Sequence, residues 1–327
     1  MSISKIGVFT SGGDAPGMNA CIRAVVRGAR YHGIEVCGIK KGYNGMIEGK
    51  ISKMNSKSVS SIIQRGGTIL KSARSEEFRT AEGRKKAFEN LQEHGIQGLV
   101  CIGGDGSFTG ANIFYKEFGI PIVGAPGTID NDIYGTDFTI GFDTAVNTAV
   151  EAIDKIRDTA SSHDRVFFIE VMGRDSGYIA IRSGICGGAE IVMVPETSTT
   201  IDDVVKILES EKERSKTSSI VIVAEGDEEG NAMEIAEKVR KRMGFLDIKV
   251  TTLGHVQRGG SPTAKDRILA SRMGLYAVEG LIKGKKDVMA GIVKDELVYT
   301  PFEEAITKTK HLSQDLLRMV DIFNNRH

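Results

Sequence analysis

The chain has 327 residues, of which 40% are hydrophobic and 26% are charged, so its length favours two domains and its composition is that of an ordinary soluble globular protein. Its 43 basic and 43 acidic side chains cancel, which argues against a protein that wraps nucleic acid or docks on an anionic membrane. No apolar run is long enough for a signal peptide or a membrane span, so the sequence predicts a cytoplasmic protein.

The positions of the glycines and cysteines indicate which kinds of site the chain could form. Many of the 39 glycines form doublets after apolar runs, where backbone can approach a ligand closely. The cysteines show neither a CxxC pair nor a metal-ligand spacing, and their neighbours are apolar or glycine. This predicts buried, reduced thiols at Cys21, Cys37, Cys101 and Cys186.

Strand-like and helix-like segments alternate along the chain, which predicts βαβ units and a largely parallel sheet. The first strand, Lys5–Thr10, leads through Ser-Gly-Gly-Asp to a helix over Met18–Tyr31. A glycine loop before a helix suits phosphate, because bare N–H groups and the positive helix end converge there. The loop lacks the Lys-Ser/Thr ending of a P-loop and the spacing of GxGxxG, so it is weak evidence alone.

The region after this loop carries further signals. Arg23 and Arg27 lie one turn apart on the helix, so either an anion compensates them or they form a solvated face. A second strand is expected over 34–39, followed by a turn at 42–45 and a short helix within 58–74.

Two later junctions repeat the pattern of the first. A strand from Gly98 runs into Gly-Gly-Asp-Gly-Ser at 103–107, which offers N–H groups for phosphates and one carboxylate for Mg²⁺. A third apolar run ends near Val123, and Pro-Gly opens a loop that carries Thr128, Asp130 and Asp132. In an extended loop, residues two apart point the same way, so both carboxylates should face one crevice.

The chemistry of that loop has two interpretations. One carboxylate could act as a base while the other holds a cation or orients the first. A polar turn is the alternative, since Asx residues are common in turns. Because ligands of open α/β sheets bind beyond the carboxyl ends of the strands, three such loops at one edge favour the site.

A second series of βα units begins near Gly141. Strands are expected over 166–171, 190–194, 220–224 and 249–253, with a capping box at 200–203 and a helix over Ala264–Ile282. Four cations lie at these strand ends, beside His255: Arg165, Arg174, Lys249 and Arg258. If they form a cluster that faces the glycine and aspartate loops, they would suit a phosphorylated substrate. Each of them taken alone is interpreted as a surface charge.

Five motifs together resemble the bacterial ATP-dependent 6-phosphofructokinase family from about residue 4 to residue 304. They are Thr-Ser-Gly-Gly-Asp-Ala-Pro-Gly-Met-Asn-Ala, Ile-Gly-Gly-Asp-Gly-Ser, Pro-Gly-Thr-Ile-Asp-Asn-Asp, Val-Met-Gly-Arg and Leu-Gly-His-Val-Gln-Arg-Gly-Gly-Ser-Pro. The resemblance implies transfer of the γ-phosphoryl of MgATP to the 1-hydroxyl of fructose 6-phosphate, giving fructose 1,6-bisphosphate and ADP, the committing step of glycolysis.

The same resemblance implies an α/β fold of two Rossmann-like parallel-sheet domains with the active site in the cleft between them. Residues 1–141 and 257–304 would bind ATP, and residues 142–256 and 305–327 would bind fructose 6-phosphate. It also implies a homotetramer, regulated by ADP or GDP as activators and by phosphoenolpyruvate as inhibitor.

Residue roles follow from the resemblance position by position. Asp130 would be the general base, with Asp132, Thr128, Arg74 and Arg174 as the other catalytic residues and Asp105 as the Mg²⁺ carboxylate. The ATP-binding residues would be Gly12, Tyr43, Arg74, Ser75, Gly104, Asp105, Gly106 and Ser107. The substrate-binding residues would be Thr128, Ile129, Asp130, Arg165, Met172, Gly173, Arg174, Glu225, Lys249, His255 and Arg258. Arg165 and Lys249 would reach a neighbouring subunit. The effector-binding residues would be Arg23, Arg27, Arg157, Glu190, Arg214 and Lys216.

Some positions depart from the family pattern or distinguish its branches. Ser56 and Lys57 stand where the family has an effector-site arginine, and Lys249 stands where many members have arginine. Pyrophosphate-dependent relatives carry aspartate and lysine at the positions of Gly106 and Gly127, so glycine at both predicts ATP as the donor.

Two other classes of protein are alternatives. A nicotinamide-dependent oxidoreductase could share the fold, but no GxGxxG follows the first strand. A non-catalytic nucleotide-binding regulator could keep the glycine loops, but it would not need Asp105, Asp130 and Asp132 together.

Overall fold

The computed structural model describes residues 3–163, 165–214 and 218–323, which divide into two compact units. Unit 1 contains the chain up to Ile129, then Ile133–Thr144 and Arg258–Lys310. Unit 2 contains Asp130–Asp132, Ala145–Gln257 and the chain from His311. The assignment of ATP to one domain and the sugar phosphate to the other stays a prediction.

The strands and helices are numbered in chain order. The strands are β1 Lys5–Thr10, β2 Glu35–Ile39, β3 Ile51–Met54, β4 Gly98–Gly103, β5 Ile122–Pro126, β6 Val166–Val171, β7 Ile191–Met193, β8 Ser219–Ala224, β9 Ile248–Thr252, β10 Val288–Val293 and β11 Glu296–Pro301. The helices are α1 Met18–Tyr31, α2 Gly42–Ile47, α3 Ala81–Glu93, α4 Asp105–Phe118, α5 Phe142–Ser162, α6 Tyr178–Gly187, α7 Ile201–Glu213, α8 Ala232–Arg242, α9 Ala264–Ile282, α10 Phe302–Thr307 and α11 Gln314–Phe323.

The sheet of unit 1 has the order β11-β10-β5-β4-β1-β2-β3. Its five central strands are parallel, and the edge strands β11 and β3 are antiparallel. Helices α1 and α9 pack against each other, and α3, α4 and α10 contribute Leu91, Phe108, Phe114 and Phe302 to a buried cluster with Phe9. Apolar runs thus become buried parallel strands covered by helices, as such sheets require.

Unit 2 has a four-stranded parallel sheet of order β7-β8-β6-β9. Helices α7 and α8 cover its strands through a cluster that includes Phe168, Val204, Val221 and Ile235. Thr200 accepts a hydrogen bond from Asp203 N while the Asp203 carboxylate accepts one from Thr200 N, so the predicted capping box is confirmed.

Most predicted elements are confirmed, and β1, α1, β6 and α9 match residue for residue. The turn predicted at 42–45 is wrong, because these residues begin α2. The helix predicted within 58–74 is also wrong: all these residues are described, and they form turns and irregular segments. Ser61, Gly67 and Lys71 have φ values of 54°, 63° and 57°, which interrupt helical geometry.

The structure differs from the sequence predictions in one cysteine and in two short elements. Cys186 is exposed, so the prediction of four buried thiols is right for the other three alone. The short strand β3 and the helix α10 have no counterpart among the predicted elements. Among the described residues, no helix is both long enough and apolar enough to cross a membrane.

Candidate functional site

Three loops meet at the carboxyl edge of the unit 1 sheet, because β1, β4 and β5 are neighbours there. Ser11 N donates to Ile102 O over 3.0 Å, and Gly127 N donates to Gly103 O over 2.9 Å. A methyl group at Gly12 would lie 3.4 Å from Ser107 Oγ. The prediction that these strand ends meet at one edge of a sheet is confirmed.

The loop after β4 presents a helix N-terminus to solvent. Helix α4 begins at Asp105, and Asp105 and Gly106 are exposed while Ser107 is buried. A side chain at Gly106 would meet nothing within 4 Å, so this first turn is open to a ligand. The unsatisfied N–H groups of a helix N-terminus attract anions, and phosphate is the usual ligand.

Asp105 is the predicted metal-associated carboxylate. Within the described parts of the chain, no group of three or more His, Cys, Asp and Glu side chains could enclose a metal ion. A single exposed carboxylate fits Mg²⁺ that arrives with phosphates, since Mg²⁺ commonly keeps only one or two protein carboxylates. The donor set therefore suits a cation bound jointly with a polyphosphate.

Tyr43 supports the phosphate loop from the protein interior. Its hydroxyl donates to Ser107 O over 2.6 Å, and its ring stacks on Phe78 with centroids 3.9 Å apart. Burial raises its pKa well above the ordinary value, so the hydroxyl remains a donor. The next residue, Asn44, donates from Nδ2 to the backbone oxygen of Arg74 over 3.0 Å. Helix α2 thus connects the predicted ATP residues Tyr43, Arg74 and Ser107.

The aspartate loop passes from unit 1 to unit 2. Thr128 belongs to unit 1, where its backbone oxygen accepts from Thr139 Oγ1 over 2.7 Å. Asp130 belongs to unit 2 and is buried, and its backbone oxygen accepts from Ser176 Oγ over 2.8 Å. Asn131 between the two aspartates has φ 55°. The loop is therefore not extended, and the alternation argument for a shared direction of Asp130 and Asp132 is wrong.

The turn at residues 172–176 is held at the carboxyl edge of unit 2 by side chains from other parts of the chain. Met172 N donates to Gln257 Oε1 over 3.0 Å, and Arg174 N donates to Glu225 Oε1 over 2.9 Å. Arg174 has φ 56°, and a methyl group at Gly226 would lie 2.2 Å from Arg174 O. Glu225 and Gln257 thus hold this turn through its backbone, which leaves the Arg174 side chain largely exposed.

Arg258 belongs to unit 1, whereas His255, three residues earlier, belongs to unit 2. The Arg258 guanidinium donates to Asp14 O over 3.1 Å. It lies so close to Gly13 that a methyl group there would be 2.5 Å from Nη1. The structure therefore places this predicted substrate cation on the first glycine loop.

Arg165 and Lys249 lie at the opposite edge of the unit 2 sheet from Arg174. Arg165 precedes β6, Arg174 follows it, and Lys249 is the second residue of the neighbouring strand β9. The six residues of β6 span about 20 Å at 3.3 Å per residue. The prediction of a single cation cluster that faces the loops is therefore wrong. Residues before a strand and residues after it lie at opposite edges of a parallel sheet, so Arg165 and Lys249 are far from Arg174.

The predicted effector residues are distributed over both units. Arg23 and Arg27 lie on α1 in unit 1. In unit 2, Arg157 donates to Glu190 over 3.4 Å and to the backbone oxygen of Gly187 over 3.0 Å. Glu190 and Arg214 line a cavity of about 1150 Å³ in the same unit. Lys216 lies outside the described residues.

Three supporting residues were missed by the sequence reasoning. Gln257 lies inside one of the five motifs and Ser176 lies two residues beyond another, but their hydrogen bonds join residues 85 and 46 positions apart. Asp247 contacts both Arg165 and Lys249. Their place within or beside the motifs was the available signal, but the contacts themselves depend on the fold.

Parallel α/β units with glycine loops, a helix N-terminus and carboxylates beyond the strand ends define a class of proteins that bind phosphorylated ligands. The phosphofructokinase family model matches residues 5–281. An ATP-dependent 6-phosphofructokinase of Cytophaga hutchinsonii is 60% identical over 324 residues, which cover 99% of each chain. ATP-dependent 6-phosphofructokinase 1 of Thermus thermophilus is 58% identical over 320 residues, covering 98% of this chain and 99% of the relative.

The fold agrees with solved structures. A phosphofructokinase from Saccharomyces cerevisiae superposes with a TM-score of 0.88 at 36% identity. The match covers 98% of this chain but 47% of the yeast chain, so this chain spans about half of that protein's length. A pyrophosphate-dependent phosphofructokinase from Marinobacter aquaeolei shares the fold, with a TM-score of 0.84 at 23% identity. The chain belongs to the phosphofructokinase family, and it is a kinase.

Proposed function

We propose that this protein is an ATP-dependent 6-phosphofructokinase, which transfers the γ-phosphoryl of MgATP to the 1-hydroxyl of fructose 6-phosphate. The observation that carries the proposal is the meeting of the three glycine and carboxylate loops at the carboxyl edge of unit 1. The high identity to relatives named as ATP-dependent enzymes supports the same donor and acceptor.

The nucleotide would bind at the first turns of α1 and α4. Backbone N–H groups near Gly12, Gly104 and Gly106 would bind its phosphates, and Ser107 and Tyr43 would keep the loop rigid. Arg74 and Ser75 would contact the nucleotide from the segment held by Asn44. Asp105 would hold Mg²⁺, which supplies charge neutralisation at the phosphates when it is bound.

The acceptor would bind through a second set of residues. Asp130 would take the proton from the sugar hydroxyl, and its buried position in the loop after β5 supports this role. Asp132, Thr128 and Ile129 would align it. Arg174 would neutralise charge on the transferring phosphoryl, as a positioned guanidinium does.

The remaining acceptor residues would bind the sugar and its phosphate. Met172 and Gly173 belong to the turn that Glu225 and Gln257 hold through its backbone, which supports a fixed binding geometry. His255 and Arg258 would bind the phosphate, together with Arg165 and Lys249 of a neighbouring subunit. Arg165 and Lys249 lie at the amino edge of the sheet, away from the carboxyl-edge loops of their own chain. This position supports binding to the phosphate in a neighbouring subunit, as the proposed homotetramer requires.

The test is a coupled assay of fructose 1,6-bisphosphate formation from fructose 6-phosphate, with either ATP or pyrophosphate as the donor. We expect Mg²⁺-dependent activity with ATP, and none without the sugar phosphate. Activity with pyrophosphate and none with ATP would overturn the donor assignment. Consumption of NADH without coupling enzymes would instead support the oxidoreductase, and nucleotide binding without turnover would support the regulator.

An effector site is the second part of the proposal. Glu190 and Arg214 line the large cavity of unit 2, and Arg157 contacts Glu190. Together with Arg23, Arg27 and Lys216 they would bind ADP or GDP as activators and phosphoenolpyruvate as inhibitor. We expect the double variant Arg23→Ala, Arg27→Ala to lose these responses while turnover at saturating substrate is retained. Unaltered responses would make the two arginines a solvated face.

A further inference from the structure

Asp247 lies between two cations at the amino edge of the unit 2 sheet. Its Oδ2 is 2.8 Å from Nε of Arg165, and its Oδ1 is 2.7 Å from Nζ of Lys249. The strand register creates the cluster, because Val166 pairs with Ile248 and Val166 N donates to Asp247 O over 3.1 Å. Each oxygen of the carboxylate thus holds one cation.

The cluster combines two positive charges with one negative charge. The side chains of Arg165, Asp247 and Lys249 are 30%, 46% and 45% exposed. Both cations lower the pKa of Asp247, chiefly through the hydrogen bond from Lys249, so the carboxylate is ionised. Ion pairs this exposed contribute little to folding, so a purely structural role does not account for the arrangement.

We propose that Asp247 is a positioning residue that tunes phosphate binding by holding Arg165 and Lys249 side by side and offsetting one of their charges. The inference rests on the proposed function, which assigns these two cations to the sugar phosphate of a neighbouring subunit. The carboxylate is the resident anion of the pair, and the phosphate of the substrate competes with it for the same N–H groups.

The sign of the effect follows from the charges. A phosphate dianion close to the same cations is repelled by the carboxylate, and this repulsion is largest at contact distance. Asparagine keeps the size and one acceptor oxygen but removes the negative charge. The alignment lost with the ion pairs is a small effect at such exposure. Removal of the charge therefore tightens phosphate binding.

The test compares Asp247→Asn with Glu35→Gln in saturation curves for fructose 6-phosphate at fixed MgATP. Glu35 is a matched control, because it also lies between two cations of neighbouring strands, Lys53 at 2.7 Å and Lys5 at 3.6 Å, and its side chain is also 46% exposed. We expect Asp247→Asn to lower the half-saturating concentration about three- to tenfold, with turnover and ATP half-saturation unchanged to within about twofold. Glu35→Gln should leave turnover and both half-saturating concentrations unchanged.

Two further measurements separate tuning from a scaffolding role. The inhibition constant for inorganic phosphate should fall in Asp247→Asn in the same proportion as the half-saturating concentration of fructose 6-phosphate. Asp247→Glu keeps the charge, so both quantities should stay at their wild-type values. In a Lys249→Gln background the effect of Asp247→Asn should shrink, because one of the two competing cations is gone. If Asp247→Asn does not fold, Asp247→Ser removes the same charge and should give the same shift.

An unchanged or raised half-saturation in a folded Asp247→Asn protein overturns the inference while leaving the proposed function intact. A wild-type protein that does not phosphorylate fructose 6-phosphate overturns the proposed function, and the inference falls with it. The wild-type assay therefore distinguishes the two failures.

Discussion

The Arg258 guanidinium donates a hydrogen bond to the backbone oxygen of Asp14 and lies directly against Gly13. A methyl group at Gly13 would lie 2.5 Å from Nη1, so the guanidinium must move. We expect Gly13→Ala to raise the half-saturating concentration of fructose 6-phosphate about tenfold, the effect of losing one charge-assisted hydrogen bond of about 1.4 kcal/mol. Saturation curves at fixed MgATP measure this.

The matched control for this substitution is Gly244→Ala. Gly13 and Gly244 both have φ outside the left-handed region, and a methyl group at Gly244 meets only Arg240 O, at 3.7 Å. We expect the control to retain wild-type kinetics. Wild-type affinity in Gly13→Ala would mean that the position of Arg258 against this loop is irrelevant to substrate binding.

The second prediction concerns the catalytic base. We expect Asp130→Asn to lower turnover by at least ~10²-fold, the usual contribution of a general base, because the amide cannot accept the proton. ATP affinity should remain, since the nucleotide residues lie elsewhere. Steady-state turnover and equilibrium ATP binding check both parts. Turnover within a few-fold of wild type would contradict the role of Asp130.

The third prediction concerns the choice of donor. Gly106 faces open space in the first turn of α4, so an aspartate side chain fits there without a clash. Its charge would repel the phosphates of ATP, and we expect Gly106→Asp to lower kcat/KM for ATP at least about tenfold. Gly106→Ala adds size without charge, so its kcat/KM for ATP should fall much less. An equal fall in kcat/KM in both variants would mean that the size of the side chain, and not its charge, causes the effect.

The fourth prediction concerns a buried carboxylate at the start of α9. Asp266 is fully buried and accepts hydrogen bonds from Gly141 N over 3.0 Å and from Thr144 N over 2.8 Å. Asparagine would turn an N–H₂ group toward one of these donors. We expect Asp266→Asn to lower the free energy of unfolding by about 2–3 kcal/mol, the cost of an unsatisfied buried donor. Denaturant titration measures this, and a loss below about 0.5 kcal/mol would contradict it.

The fifth prediction concerns acid stability. Arg84 donates from Nε and Nη2 to the two carboxylate oxygens of Glu117, and this lowers the pKa of Glu117 from its ordinary value of 4.5. A depressed folded-state pKa contributes stability above the unfolded value, and the contribution is lost as the pH falls through the folded value. We expect Glu117→Gln to cost about 1–2 kcal/mol at pH 7. The difference from wild type should shrink as the pH falls below 4.5 and vanish only below the depressed folded-state pKa.

The control for this pair is Glu151→Gln. Glu151 contacts Lys155 over 2.6 Å, but both side chains are 72% exposed. Solvent screens such a pair, so its removal should have no measurable effect at either pH. A Glu117→Gln deficit that is independent of pH would indicate lost packing rather than lost charge.

Local sequence determined the elements and the phosphate loops. The apolar runs and glycine doublets that predict β1, α1, β4 and α9 act over a few residues, and these elements appear as expected. The convergence of three loops also followed from the sequence, because parallel strands must bring their carboxyl ends to one edge.

Tertiary structure decided how individual side chains are used. Asn131 adopts a left-handed conformation, so the aspartate loop is not extended and side chains two apart need not face the same way. The buried Tyr43 hydroxyl donates to the backbone oxygen of Ser107. Strand register placed Arg165 and Lys249 at the amino edge with Asp247 between them. The hydrogen bond of Tyr43 with Ser107 and the ion pair of Arg165 with Asp247 join residues 64 and 82 positions apart. Periodicity and propensity carry information over a few residues, so they identify the strand that bears a residue but not the partner that it meets.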